Sequence, residues 1–195
     1  MTPTVTLEAL ETLLKSRFKG VLFKGAHNED SQACVLELLS VAQGMPWTDS
    51  PKTTRCFDLR LINDMPVSNA IRTKHLLPLL AVYAGSMDWP IAKQKAVVTR
   101  IVLLTVNRLL AELPSLSKVL KTQCQQATTL LEAAGAAGWA AEAAGWAAGA
   151  AGWAAEAAGW AAEAAGWAAG ATGGAATENI FTQTCALWME AAHVS

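Results

Sequence analysis

Apolar residues recur at three- and four-residue spacing along most of this chain, and that spacing predicts helices nearly throughout. Leu7, Leu10, Leu13 and Leu14 predict a first helix capped by Thr4 or Thr6 and ending near Arg17. A connector over 18–29 carries Gly20 and Gly25, and its VLF triplet reads as a short extended piece. A second helix opens at Asp30 or Ser31, faces Val35, Leu38 and Leu39 inward and closes at Gly44. A Pro-bounded loop with Trp47 and Asp49 leads to a third helix over 54–63, broken by Asn63-Asp64-Met65-Pro66. Ser68 caps a fourth helix that Pro78 kinks or restarts. Asp88 caps a fifth, very apolar helix over 90–113, placed at the centre of the bundle. A sixth helix begins after Pro114-Ser115 and runs on without a strong breaker, and Thr177 caps the last one. Alternating strand patterns are almost absent, so the class is all-α, a small helical bundle.

The fully periodic stretch lies over 133–172. Trp139, Trp146, Trp153, Trp160 and Trp167 recur at every seventh position, each preceded by Gly. Two helical turns nearly restore a side chain's direction, so a seven-residue period predicts one long helix with a Trp seam, a small-residue groove and a broad Ala face. Its eight interior glycines, Gly135 to Gly170, cost on the order of 8 kcal/mol relative to alanine, which makes the helix marginal alone and demands a packing partner.

Charge separates the two ends. All fifteen Lys and Arg lie between Lys15 and Lys121, whereas six of the sixteen acidic residues and no basic residue lie from Glu132 onward. A basic front and an acidic back attract one another within a molecule or between copies. Glu142, Glu156 and Glu163 flank the seam, and Arg100 and Arg108 of the fifth helix are the basic residues expected to meet them. The scattered basic residues form no dense run, so no nucleic-acid partner is expected. The charge-free runs 143–155 and 164–177 are shorter than the ~18–20 apolar residues a membrane span requires. No CxxC pair is present, and residues 1–17 lack the pattern of a secretory leader, so a cytoplasmic protein with reduced thiols is expected.

One group of residues has the chemistry for a site. His27, Cys34, Glu37, Asp49 and Cys56 combine imidazole, thiol and carboxylate, the set that ligates zinc or places a thiolate beside a base. Cys34 and Glu37 share a helical face, but the His27–Cys34 spacing is no standard ligand spacing. The expectation is a buried Cys34, a His27 bonded to backbone and a capping Asp49, with no metal and no cofactor. His75 reads as a rim residue, and His193 lies near the chain end. Phosphate loops and Ser-His-Asp groupings are not visible.

The segment from Gly25 to Leu80 resembles a family of uncharacterised bacterial and phage proteins. The resemblance rests on Gly25, His27, Cys34, Glu37, Gly44, Trp47, Asp49, Pro51, Asn63, Asp64 and Pro78, together with the Ala-rich repeat tail. The family has no established activity, so the resemblance implies shared architecture only. The resulting organisation is a helical bundle over 1–131, a heptad helix over 132–172 and a C-terminal helix over 173–195 packing back on the bundle. The function expected is protein interaction or self-association through the Trp seam. The alternative is a metal- or thiol-dependent activity centred on His27, Cys34 and Asp49.

Overall fold

The computed structural model describes residues 5–25, 27, 31–51, 57, 59–113, 116–143 and 174–193, with side chains as far as Ala137 in the helix that ends at 143. The described residues are helical and contain no strand, so the protein is all-α. They divide into two compact units, Met1–Gln94 and Lys95–Ser195. The boundary expected at residue 131 falls inside the second unit.

In the first unit, α1 (Leu7–Arg17) packs against α2 (Val35–Ala42) and α4 (Asn69–Tyr83), and α2 also packs against α3 (Leu59–Asn63). Leu10, Leu14, Phe18, Leu38, Leu39, Ile62, Leu76 and Leu80 are fully or almost fully buried and form the core. The Thr6 hydroxyl accepts the Ala9 N–H at 3.2 Å and starts α1. At its end the N–H groups of Phe18 and Gly20 both reach the Leu14 carbonyl, while Lys19 (φ 58°) and Gly20 (φ 77°) take left-handed backbone. Helix α4 begins at the Ser68 cap, as expected. It then runs through Pro78 to Tyr83 without restarting. Phe57, Tyr83 and Trp89 form an aromatic triangle with centroids 4.7, 5.7 and 5.6 Å apart.

The second unit takes α5 (Ile91–Leu104) from Lys95 onward. The chain then widens into one π-helical turn, Thr105–Leu109, and tightens into a 3-10 turn, Leu110–Glu112. Next come α6 (Lys118–Gln126), α7 (Leu130–Ala143) and α8 (Gly174–Ala192), and all three pack against the π turn. The Asn107 amide on that turn donates to the carbonyls of Gln125 and Ala127 at 3.2 and 2.9 Å, closing the end of α6.

Several expected boundaries move. Helix α2 starts at Val35, not at Asp30 or Ser31, because Glu37 caps the Cys34 N–H. Asp88 lies in a 3-10 turn instead of capping α5, and the Gln94 side chain holds the carbonyls of Met87 and Trp89 ahead of that helix. The sixth helix does not run into the heptads. It stops at Gln126, and α7 starts afresh from a capping box. In this box the Thr129 hydroxyl accepts the Glu132 N–H at 3.2 Å, and Glu132 Oε2 accepts the N–H of Thr129 and of Thr128. Those bonds hold the Glu132 carboxyl below its usual range. Helix α8 begins at Gly174, ahead of the Thr177 expected as its cap. The extended VLF piece makes no strand; Phe23 N–H makes a single bond to the Ala33 carbonyl at 2.9 Å.

Candidate functional site: a carboxylate-centred knot

The polar residues singled out in the sequence converge on Glu37. It occupies the third position of α2, where a carboxylate meets the unsatisfied N–H groups and positive end of the helix. Its side chain is buried, with 1% exposed. Oε2 accepts the Cys34 N–H at 2.7 Å, which is the reach-back bond of a capping box. Oε1 accepts the His27 N–H at 2.6 Å, and Oε2 also lies 3.1 Å from His27 Nδ1. A carboxylate only accepts, so Nδ1 is the donor in this pair. The Trp47 indole donates to the His27 carbonyl at 3.0 Å, and the Trp47 ring leans on Phe18 at 5.7 Å.

The knot continues through the end of α3. Asn63 Oδ1 accepts the Val35 N–H at 3.3 Å, and its amide donates to the Phe23 carbonyl at 3.1 Å and to Asp64 Oδ1 at 2.9 Å. Asp64 Oδ1 also accepts the Gly25 N–H at 2.9 Å. Arg72, fully buried on α4, closes it from below. Its guanidinium donates to the carbonyls of Asn63 (2.6 Å), Met65 (3.0 Å) and Val67 (3.1 Å) and to the Asn69 side chain. Burial lowers its proton affinity, and the Asp64 charge opposes that. The Thr73 hydroxyl accepts the Leu22 N–H at 2.8 Å, tying the connector to the same helix.

Of the five candidate residues, His27, Cys34 and Glu37 therefore meet. Cys34 is a buried N-cap whose thiol is pushed up to about 12, chiefly by burial, with the Glu37 charge adding to the rise. At neutral pH it is a thiol and not a nucleophilic thiolate. Asp49 is half-buried and shares no bond with these three. Cys56 lies outside the described residues, among which no group of three or more His, Cys, Asp or Glu side chains is placed to hold a metal ion. His75 is half-buried on α4, and burial lowers its pKa.

Sequence reasoning had no role for Arg72. Its signal is positional, since it stands on the helical face shared by Leu76, Leu79 and Tyr83, where a charge is out of place.

Trp139 lies in α7 beyond the described side chains, and Trp146, Trp153, Trp160 and Trp167 lie outside the described residues. Glu142 is likewise in the part of α7 without described side chains, and Glu156 and Glu163 are outside the described residues. Arg100 and Arg108, the arginines expected to meet those carboxylates, both pair with Glu190 of α8. Arg108 lies 2.6 Å and Arg100 3.1 Å from its two oxygens. No helix among the described residues is long and apolar enough to cross a membrane.

No family model, no curated protein and no solved structure matches the chain.

Proposed function

We propose that this protein is a helical interaction or assembly protein whose Trp/Ala/Gly heptads meet a protein partner or a second copy. The observation carrying this reading is the register of α7. Ala133 and Ala136 are buried against the second unit, while Leu131 is 82% exposed and Glu132 is exposed. Leu131 and Glu132 stand one heptad ahead of Gly138 and Trp139. A helix that keeps its period therefore gives its alanine face to its own unit and leaves the Gly-Trp positions for something else. Large indoles beside glycines supply the apolar area and close approach that helix pairing requires.

Sedimentation across a wide concentration range tests this with the wild type and with a variant carrying Trp146→Ala, Trp153→Ala and Trp160→Ala. The expected result is a wild-type mass that rises with concentration and a variant that stays monomeric with an unchanged unfolding midpoint. A concentration-independent wild type, combined with a variant destabilised as a core mutant would be, counts against it.

A second reading, the metal- or thiol-dependent activity centred on His27, Cys34 and Asp49, is favoured by one observation. His27 Nδ1 lies 3.1 Å from the buried Glu37 carboxylate, the imidazole–carboxylate pairing that orients ligating histidines. Elemental analysis of the purified protein and of His27→Ala tests it. Stoichiometric zinc lost in the variant would support it, and the same low metal content in both would not.

A further inference from the structure

The first unit holds a half-buried indole that is braced by the core. Trp89 stands between the 3-10 turn Ser86–Asp88 and the start of α5. Its ring packs on Phe57 and Tyr83, both fully buried, at 5.7 and 5.6 Å. The chain on either side of it faces solvent: Met87 and Pro90 are exposed, and Ile91 is 69% exposed. The Lys93 ammonium lies over the ring, 4.7 Å from its centroid, and no carboxylate among the described residues pairs with it. Asp88, the acidic residue beside the ring, is already engaged within the chain. A rigid indole that carries a cation and is flanked by exposed apolar residues has the make-up of an interface hot spot.

We infer that this face receives the Trp/Glu heptads of a second copy of the chain, a proposal that rests on the interaction reading and names its receiving surface. Trp139 and Glu142, Trp153 and Glu156, and Trp160 and Glu163 are each three residues apart. In a helix such pairs are neighbours on one face, with Cβ atoms about 5–6 Å apart. That separation matches the step from the Trp89 ring to the Lys93 ammonium. A heptad indole laid against Trp89 and Ile91 therefore brings its glutamate to Lys93. Charge points the same way, since no basic residue follows Lys121 and the charged heptad positions are all carboxylates. Arg100 and Arg108 are already taken by Glu190, whereas Lys93 has only the ring beneath it. Because Pro90 and Ile91 are exposed in the single chain, the occupant comes from another copy.

Sedimentation of the full chain across concentration tests it with Ile91→Asp, with Lys93→Glu, and with a chain carrying Glu142→Lys, Glu156→Lys and Glu163→Lys. Asp at the first residue of α5 suits the positive helix end, and an unchanged thermal midpoint at low concentration checks that Ile91→Asp keeps the fold. Ile91→Asp is expected to weaken self-association about tenfold or more. Lys93→Glu is expected to weaken it about two- to fivefold, an effect that fades in high salt. The Lys93→Glu chain mixed with the three-lysine chain is expected to associate more tightly than either alone, because each then offers the other an opposite charge. This charge swap decides the matter independently of any folding change at Ile91. Wild-type affinity in a folded Ile91→Asp, or a mixture no tighter than its components, overturns the inference. If the variant lacking Trp146, Trp153 and Trp160 has meanwhile lost association, the interaction reading stands without this surface. A wild type that stays monomeric at every concentration overturns the inference as well. Association lost in Ile91→Asp but kept without the three indoles overturns both.

Discussion

Glu37 and His27, ten residues apart, are bound twice. The carboxylate accepts the His27 main-chain N–H at 2.6 Å and faces its ring nitrogen at 3.1 Å. One buried side chain thus holds the connector, the start of α2 and the imidazole together. Replacing it by Gln turns one acceptor into a donor and aims it at N–H groups that have no other partner in the knot. Glu37→Gln is expected to lower stability by about 2 kcal/mol in urea unfolding. Glu37→Asp is expected to do no better, because the shorter side chain cannot reach both donors. Wild-type stability in either variant would show that the bonds are incidental.

Arg72 tests the lower half of the knot. Three of its contacts are main-chain carbonyls at the end of α3 and beyond, and a planar guanidinium serves them from one position. Arg72→Ala should cost roughly 3 kcal/mol or more, since it leaves buried carbonyls unpaired and opens space in the core. Arg72→Lys should recover little, because a compact ammonium cannot span those acceptors. Substantial rescue by lysine would mean that the charge matters more than the fork.

The thiols give a pH dependence with a definite sign. Burial pushes Cys34 and Cys185 up to about 12 from an ordinary value of 9.0. A group whose pKa is raised by folding contributes stability that is complete below its unfolded pKa and is lost as pH climbs toward the folded one. Stability is therefore expected to be flat through neutral pH and to fall between about pH 9 and 12, with a shallower slope in Cys34→Ala or Cys185→Ala. Native protein should also resist alkylation at both positions at pH 8. Rapid native-state alkylation of Cys34 would contradict its placement.

What the sequence made legible followed physical range. Helix existence came from apolar spacing such as Leu7, Leu10 and Leu14, and the Thr6 and Ser68 caps came from local hydrogen bonding. The Thr129-x-x-Glu132 box is an equally local signal and separates α6 from α7. A cysteine at the cap position disguises the capping box that starts α2, and Ser31 looks like the better cap. The knot itself was legible only as a collection of residue types. Its bonds join positions such as Gly25 to Asp64 and Val35 to Asn63, and no local rule specifies such pairings. The π turn at Thr105–Leu109 has no comparable signature in the sequence, although three helices are organised on it.

Two glycines give opposite expectations from one substitution. Gly44 closes α2 with φ at 65°, and its N–H bonds the Val41 carbonyl while Met45 N–H bonds Ser40. A methyl group there would meet nothing within 4 Å, so the cost of Gly44→Ala is backbone strain alone, about 1 kcal/mol. Gly135 sits inside α7, where a Cβ would also meet open space. Gly135→Ala trades a flexible residue for the best helix former and should stabilise the monomer by roughly 0.5–1 kcal/mol. Gly135 also occupies the heptad position shared by Glu142 and Gly149, on a stretch of α7 exposed beside Leu131. If that face approaches a partner backbone, the added methyl groups weaken association while they strengthen the monomer. Thermal unfolding at low concentration and sedimentation at high concentration separate the two effects. A Gly135→Ala protein that is less stable as a monomer would contradict the exposed helical position assigned to it.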